Sequence, residues 1–178
     1  MLLPDRSGVN VEVVQPSAVV LTPEAEVLDW DRRTMHAGRR VYECANLTVG
    51  MICSSTAAHG LGLFSSADEP CFEDELPVVL PVSVSHGTKQ DYNEFMSSVE
   101  VAYARYLRFV YRGMSTDDAR AVLPGCVAIR LVVGGNLVQW RSAWAERDRD
   151  IRPKEMRQLL FDVRSWVRVR QPWAVESV

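Results

Sequence analysis

Residues 115–173 limit what this chain can fold into, because a short helix, an apolar strand and two amphipathic helices follow one another there with few residues to connect them. Ser115 is a hydroxyl N-cap for a first helix. Asp117 and Asp118 fall in its first turn, where the helix dipole favours anions, and Pro124 closes it after about two turns. Arg120 projects from this short element. Residues 126–133, Cys-Val-Ala-Ile-Arg-Leu-Val-Val, are β-branched and apolar and are expected to form a strand, although a buried helical segment of this length has the same pattern. Gly134-Gly135 is expected to break that run, and Asn136 is a competent N-cap for the next helix. On that helix Leu137, Trp140 and Trp144 face inward, while Arg141, Glu146, Arg147, Asp148 and Arg149 are charged. Pro153 opens the last helix. Met156, Leu159, Leu160, Val163 and Val167 form its core face, with Lys154, Arg157, Arg164 and Arg168 outside, and Pro172 is expected to stop it.

The preceding part of the chain has weaker signals. Residues 1–8 read as a loose end. Val9, Val11 and Val13 alternate with polar residues as in a half-buried strand, and Pro16 separates them from a second apolar run, 18–21. Thr22-Pro23-Glu24 has the composition of a helix start, with Thr22 as N-cap and Gly38 as the expected end. Residues 40–49 alternate and predict a strand paired with the first one. Residues 54–75 hold no period and read as a loop that is functional or mobile. Residues 76–84 contain Pro77 and Pro81 and so are extended without being a central strand. Residues 91–112 are the longest helix, with Phe95, Val99, Ala102, Tyr103, Tyr106, Leu107 and Val110 as an aromatic-rich core stripe that Gly113 ends.

With 178 residues the chain is expected to form a single domain. A net charge of −3 exerts no general pull toward nucleic acid or anionic lipid, and the apolar runs are too short to span a bilayer, so neither partner is expected and a cytoplasmic location is. The four cysteines form no CxxC pair and read as reduced, structural thiols. His36, His59 and His86 are scattered, so no metal site is expected. Gly60-Leu61-Gly62 lacks the third glycine of a dinucleotide turn, and neither a nucleophile elbow nor a phosphate-binding P-loop is present. The basic face of the last helix is most simply a solvated surface.

What remains is an ordered series: Ala119-Arg120-Ala121-Val122-Leu123-Pro124, then Asn136, Arg147, and Glu155-Met156-Arg157. This series resembles the C-terminal half of the flavin-dependent thymidylate synthases, the ThyX family, which has an Ala-Arg-x-x-Leu-Pro turn, an Asn opening a helix, an Arg on that helix and a Glu-Ile-Arg-like start to the next. The resemblance covers roughly the last half of the chain without gaps. It departs from the family elsewhere. The Arg-His-Arg hallmark is absent, with only His59 matching when residues 58–68 are placed there, and Val138, Ser142 and Ile151 stand where the family has Arg, a polar flavin contact and His.

The resemblance implies an α+β, ThyX-like fold, an antiparallel sheet packed against a long helix and a C-terminal helical bundle. It implies methyl transfer to C5 of a pyrimidine nucleotide, UMP or dUMP, from methylenetetrahydrofolate, with FAD as hydride carrier and NADPH as its reductant. The chain is also similar to the UMP/dUMP C5-methylases of polyoxin-type antibiotic pathways. Arg120 and Arg147 are implied to bind the nucleotide, and His59, Asn136 and Ser142 the flavin; no catalytic nucleophile is implied. A homotetramer is expected. Structural readings remain open: Arg120 solvated, Arg147 paired with Asp150 or Glu146, Asn136 acting only as a cap. The alternative function is a degenerate ThyX-like nucleotide-binding protein without flavin catalysis.

Overall fold

In the computed structural model, residues 9–30, 41–59, 64–68, 75–147 and 153–175 are described. The chain divides into two compact units, Met1–Gln15 with Pro70–Ala128 and Pro16–Glu69 with Ile129–Val178.

In the first unit, β1 (Asn10–Val13) pairs with β5 (Glu75–Val78) in a parallel register that sets Val11 against Leu76 and Val13 against Val78. The two strands lie far apart in sequence, and Pro77 is accommodated because the sheet has only these two strands. After Pro81 the chain turns into the short helix α4 (Val82–Ser85), not the extended segment expected there. The longest helix, α5 (Lys89–Tyr111), begins with a capping box. Asp91 N–H donates to Thr88 Oγ1 at 3.2 Å, and Thr88 N–H donates to Asp91 Oδ2 at 2.8 Å. The Thr88 hydroxyl, donating to Asp91 Oδ2 at 2.7 Å, and then the Thr88 N–H hold the Asp91 carboxyl below its usual range. Gly113 ends α5 at φ 87°, with its N–H on Val110 O and the Met114 N–H on Phe109 O. That paired arrangement is a Schellman stop, which needs a residue free to enter left-handed space. Val99, Tyr103 and Tyr106 pack from α5 with Leu76, Val78, Ala119 and Val127 in this unit's apolar cluster.

In the second unit, β2 (Ser17–Val20), β3 (Asn46–Ser54), β6 (Ala128–Asn136) and β4 (Phe64–Asp68) form a sheet in the order β2-β3-β6-β4. The β2–β3 and β4–β6 pairs are antiparallel. Leu47, Val49, Met51, Cys53, Leu131 and Val133 alternate onto one buried face. Two helices cover this core. From α7 (Leu137–Arg147) come Leu137, Trp140 and Trp144, and from α8 (Lys154–Arg170) come Met156, Leu159, Leu160, Val163 and Val167, all of them buried as their spacing predicts.

Several local expectations are corrected here. Strand character begins at Asn46, not residue 40, and β3 pairs with β2 instead of β1; the preceding residues form a helix, α2 (Val41–Cys44). Thr22 does not cap α1 (Glu24–Leu28). Its Oγ1 accepts the Thr48 N–H at 2.7 Å, because a strand edge competes successfully for that hydroxyl. Gly38 lies outside the described residues. Within 54–75, α3 (Ser55–Ala58) and β4 are ordered elements, while 60–63 and 69–74 are outside the described residues. Gly134 and Gly135 do not break β6, which runs through both to Asn136. Pro172 opens one more helical turn, α9 (Pro172–Val175). Buried Gln171 secures that corner, donating from Nε2 to Val27 O at 2.9 Å and accepting from Trp173 Nε1 at 2.7 Å.

Candidate functional site

Asn136 sits where β6 becomes α7, and the chain is pinned on both sides of it. Leu137 N–H donates to Ala45 O at 3.0 Å, and Trp140 Nε1 donates to Leu47 O at 3.0 Å, so the start of α7 is fixed to the start of β3. Asn136 itself caps: Gln139 N–H donates to its Oδ1 at 3.0 Å, and Asn136 N–H donates to Gln139 Oε1 at 2.9 Å. Gly135 leaves room beside this box. A Cβ there would meet Gln139 Oε1 at 3.1 Å and Trp140 Nε1 at 3.6 Å. Six residues on, Ser142 lies exposed on α7. Arg147 is the helix's last residue, five positions from Ser142 and therefore about 140° around the axis, so the two positions do not share a face.

The polar centre of the second unit involves a pair the motif reading left outside the site. At the end of β3, Ser54 presents both its N–H and its Oγ–H to Glu155, at 2.7 Å to Oε1 and 2.7 Å to Oε2. The same Ser54 oxygen accepts the Ala57 N–H at 3.2 Å and so caps α3. Glu155, in the first turn of α8, thus clamps a strand end to a helix start and fixes the origin of α3. Neighbouring Cys53 is fully buried, and burial, followed by the Glu155 charge, pushes its thiol up to about 12. His59 ends α3 in an exposed position. Its Nδ1 lies 2.6 Å from Ser55 O, a carbonyl that can only accept, so that nitrogen carries a hydrogen.

Arg120 belongs to the first unit. Ser115 caps α6 (Thr116–Ala119) as expected, accepting the Asp118 N–H at 3.1 Å, and Arg120 opens the 3-10 turn Arg120–Val122 that follows. Its Nη1 lies 3.6 Å from Asp117 Oδ1, and the side chain is 27% exposed, so it is neither fully solvated nor tightly paired to this aspartate. Cys126, expected in a strand, precedes β6. It is half-buried, and burial raises its thiol as well.

Among the described residues, no group of three or more His, Cys, Asp or Glu is arranged to hold a metal ion, and no helix is long and apolar enough to cross a membrane. The structure places Asn136 as the cap of the pinned helix that carries Ser142, and sets His59 on a turn governed by Ser54 and Glu155. Sequence reasoning missed Ser54, because a serine at the end of a strand has no periodic signal. It placed Glu155 in the family-like series but assigned it no ligand, its helix-start position being a sufficient explanation.

The fold is a mixed α+β one. Two solved structures share it, both of a UMP/dUMP methylase, PolB, from Streptomyces cacaoi, one bound with 5-Br UMP and one with 5-Br dUMP. The first is 13% identical with a TM-score of 0.69 and the second 12% identical with a TM-score of 0.66; each match covers 93% of this chain, and 94% and 95% of the respective partner chain. No curated protein sequence matches it significantly. Residues 35–173 match the thymidylate synthase complementing proteins (Thy1, ThyX), and the chain belongs to that family.

Proposed function

We propose that this protein methylates C5 of a pyrimidine nucleotide, UMP or dUMP, taking the carbon from methylenetetrahydrofolate, with FAD as hydride carrier and NADPH as its reductant. The observation that carries this reading is the family match. It spans residues 35–173, a range that includes Arg120, Asn136, Ser142 and Arg147. The likeness of fold to a UMP/dUMP methylase supports the same substrate class.

In this reading Arg120 and Arg147 hold the nucleotide. A guanidinium offers parallel N–H donors that match phosphate oxygens or a base carbonyl, and it stays charged at any working pH. His59, Asn136 and Ser142 serve the flavin. The donor set on this side of α7 fits a flavin dinucleotide, because it combines a hydroxyl (Ser142), an apolar step (Val138) and a cation (Arg141). Asn136 and the clamped Ser54–Glu155 pair keep the supporting elements in place. Bound FAD supplies the hydride that completes the methyl group as the C5 proton leaves. Neither Cys53 nor Cys126 is suited to nucleophilic attack on the ring, since burial favours the protonated thiol of both. A homotetramer is the expected assembly.

The test is direct. Purified protein should be yellow with a flavin absorption spectrum, and it should release tritium from C5-labelled UMP or dUMP when supplied with methylenetetrahydrofolate and NADPH. The relative release from the two nucleotides identifies the substrate. Colourless protein that ignores added FAD yet binds UMP or dUMP would instead make this chain a nucleotide-binding relative without flavin catalysis.

A further inference from the structure

Helix α5 has two sides. Val99, Tyr103 and Tyr106 enter the apolar cluster of their own unit, whereas Glu94, Ser97, Val101, Ala104 and Arg108 recur at alternating three- and four-residue steps on the opposite side, with Arg105 beside them. Glu94, Ser97 and Arg105 are exposed, and Val101, Ala104 and Arg108 are half-buried, so this seam reaches solvent along its length. Its charges are segregated, the acid before Val101 and both bases after it. Among the described residues, none of the three is in an ion pair. Nor can they pair with one another, because Glu94 stands roughly 16 Å along the axis from Arg105 and roughly 21 Å from Arg108. The helix dipole does not account for the pattern, since it acts within the first and last turns and both Glu94 and Arg105 lie inside them. Arg108 is the most demanding member. Its Nε is shielded from water and has no hydrogen-bond partner, and the residues one turn away, Ala104, Arg105, Tyr111 and Arg112, supply no carboxylate.

A seam of this kind is complementary to a reversed copy of itself. In an antiparallel pair of helices related by a two-fold axis at Val101, residues equally distant from Val101 in opposite directions face each other. Glu94 and Arg108 are each seven residues from it, so the pair forms twice, and Ser97 falls opposite Arg105. Val101 meets its own copy at the centre, and the small side chains of Ser97 and Ala104 on either side let the two helices approach. A parallel pair in the same register would set acid against acid and base against base.

We infer that this side of α5 is a homotypic interface, docking antiparallel on the same face of a second copy of the chain, with Glu94 of each copy paired to Arg108 of the other. It stands independently of the flavin and nucleotide readings. The test is sedimentation velocity over a concentration series for the full-length wild type, Glu94→Arg, Arg108→Glu and the double variant, with circular dichroism to verify folding. Wild type should self-associate. Each single reversal sets like charges together at both symmetry-related pairs and should weaken association by about tenfold to a hundredfold. The double variant should recover it. An equimolar mixture of the two single variants should also associate, because one contributes only bases and the other only acids to the pairs. A wild type that stays monomeric, unchanged association in both single variants, or a double variant and a mixture as dissociated as the singles would overturn the inference. Should a single reversal prevent folding, Val101→Lys reads the same surface by placing two cations on the axis: lost association supports the interface and retained association overturns it.

Discussion

Ser54 and Glu155 form the most demanding pair in the described structure, since one carboxylate takes two short hydrogen bonds from a single buried serine. Ser54→Ala removes one of these donors and the α3 cap together. Loss of a hydrogen bond to a charged group should lower stability by about 1.5–3 kcal/mol, read as a drop in the urea midpoint. Glu155→Gln should also destabilise, because its amide NH2 would face one of two donors. If both variants unfold at the wild-type midpoint, the clamp contributes nothing. Cys53, beside this pair, gives a second prediction. Its thiol is pushed up to about 12 from 9.0, so the folded protein holds the proton more tightly than the unfolded chain. The sign follows: the stabilising preference is fully present below pH 9 and is lost progressively between pH 9 and about 12, as only the unfolded chain releases the proton. Stability should therefore decline in that window, and Cys53→Ala should flatten this part of the decline. Consistent with the same burial, Cys53 should resist alkylation at pH 8.5 until denaturant is added, which peptide mass spectrometry can read.

The entry to α7 shows how much of an element its sequence can disclose. Asn136 as a cap, Leu137, Trp140 and Trp144 as the inner face and the core stripe of α8 follow from residue type and 3.6-residue spacing, and all are found in those roles. The reading of Gly134-Gly135 as a break fails, because glycine signals permitted conformations without saying which is used. Here pairing of Gly134 with Phe64 and the approach of Gln139 to Gly135 keep both within the strand. These two glycines should consequently respond differently to alanine. At Gly134 a new Cβ finds Thr48 Oγ1 at 3.8 Å, ordinary contact, and the stiffer unfolded chain should make Gly134→Ala neutral or stabilising by about 0.4–1 kcal/mol. At Gly135 it presses on the Gln139 oxygen that accepts the Asn136 N–H, so Gly135→Ala should destabilise by about 1 kcal/mol, similar to deleting the cap through Asn136→Ala. Equal melting temperatures for the two glycine variants would contradict this. Residues 41–44 were illegible for a related reason. The alternation of Val41, Glu43 and Ala45 suits a strand, but the contacts of Tyr42 with Trp173 and Arg141 come from distant parts of the chain and accompany a helical turn. Strand β4 was hidden too, since Ser65 and Ser66 carry no apolar period and its order is seen in backbone pairing with β6.

At the scale of the molecule, each compact unit has its own apolar cluster, and the residues assigned to ligands lie on elements anchored to those clusters. Arg120 follows a capped helix packed at Ala119, whereas Asn136 caps α7 and Ser142 and Arg147 lie on it. The ordered series from Arg120 to Arg157 was readable because capping and helical spacing are local. The partners of Arg141 and Glu155 were not, since Tyr42 and Ser54 lie about a hundred residues away in sequence, and only the fold brings them close. Nucleotide binding supplies the prediction that tests the family assignment of Arg147. A ligand that binds only the folded state at a hundredfold excess over Kd stabilises it by about 2.7 kcal/mol. For a chain of 178 residues this corresponds to a rise in Tm of roughly 5–10 °C. UMP or dUMP should produce such a shift in the wild-type protein, while uridine, lacking the phosphate, should produce a smaller one. Arg147→Ala should retain the wild-type circular dichroism spectrum and lose the shift with either nucleotide. An undiminished shift in that variant would remove Arg147 from the nucleotide site and leave its position at the end of α7 as a structural one.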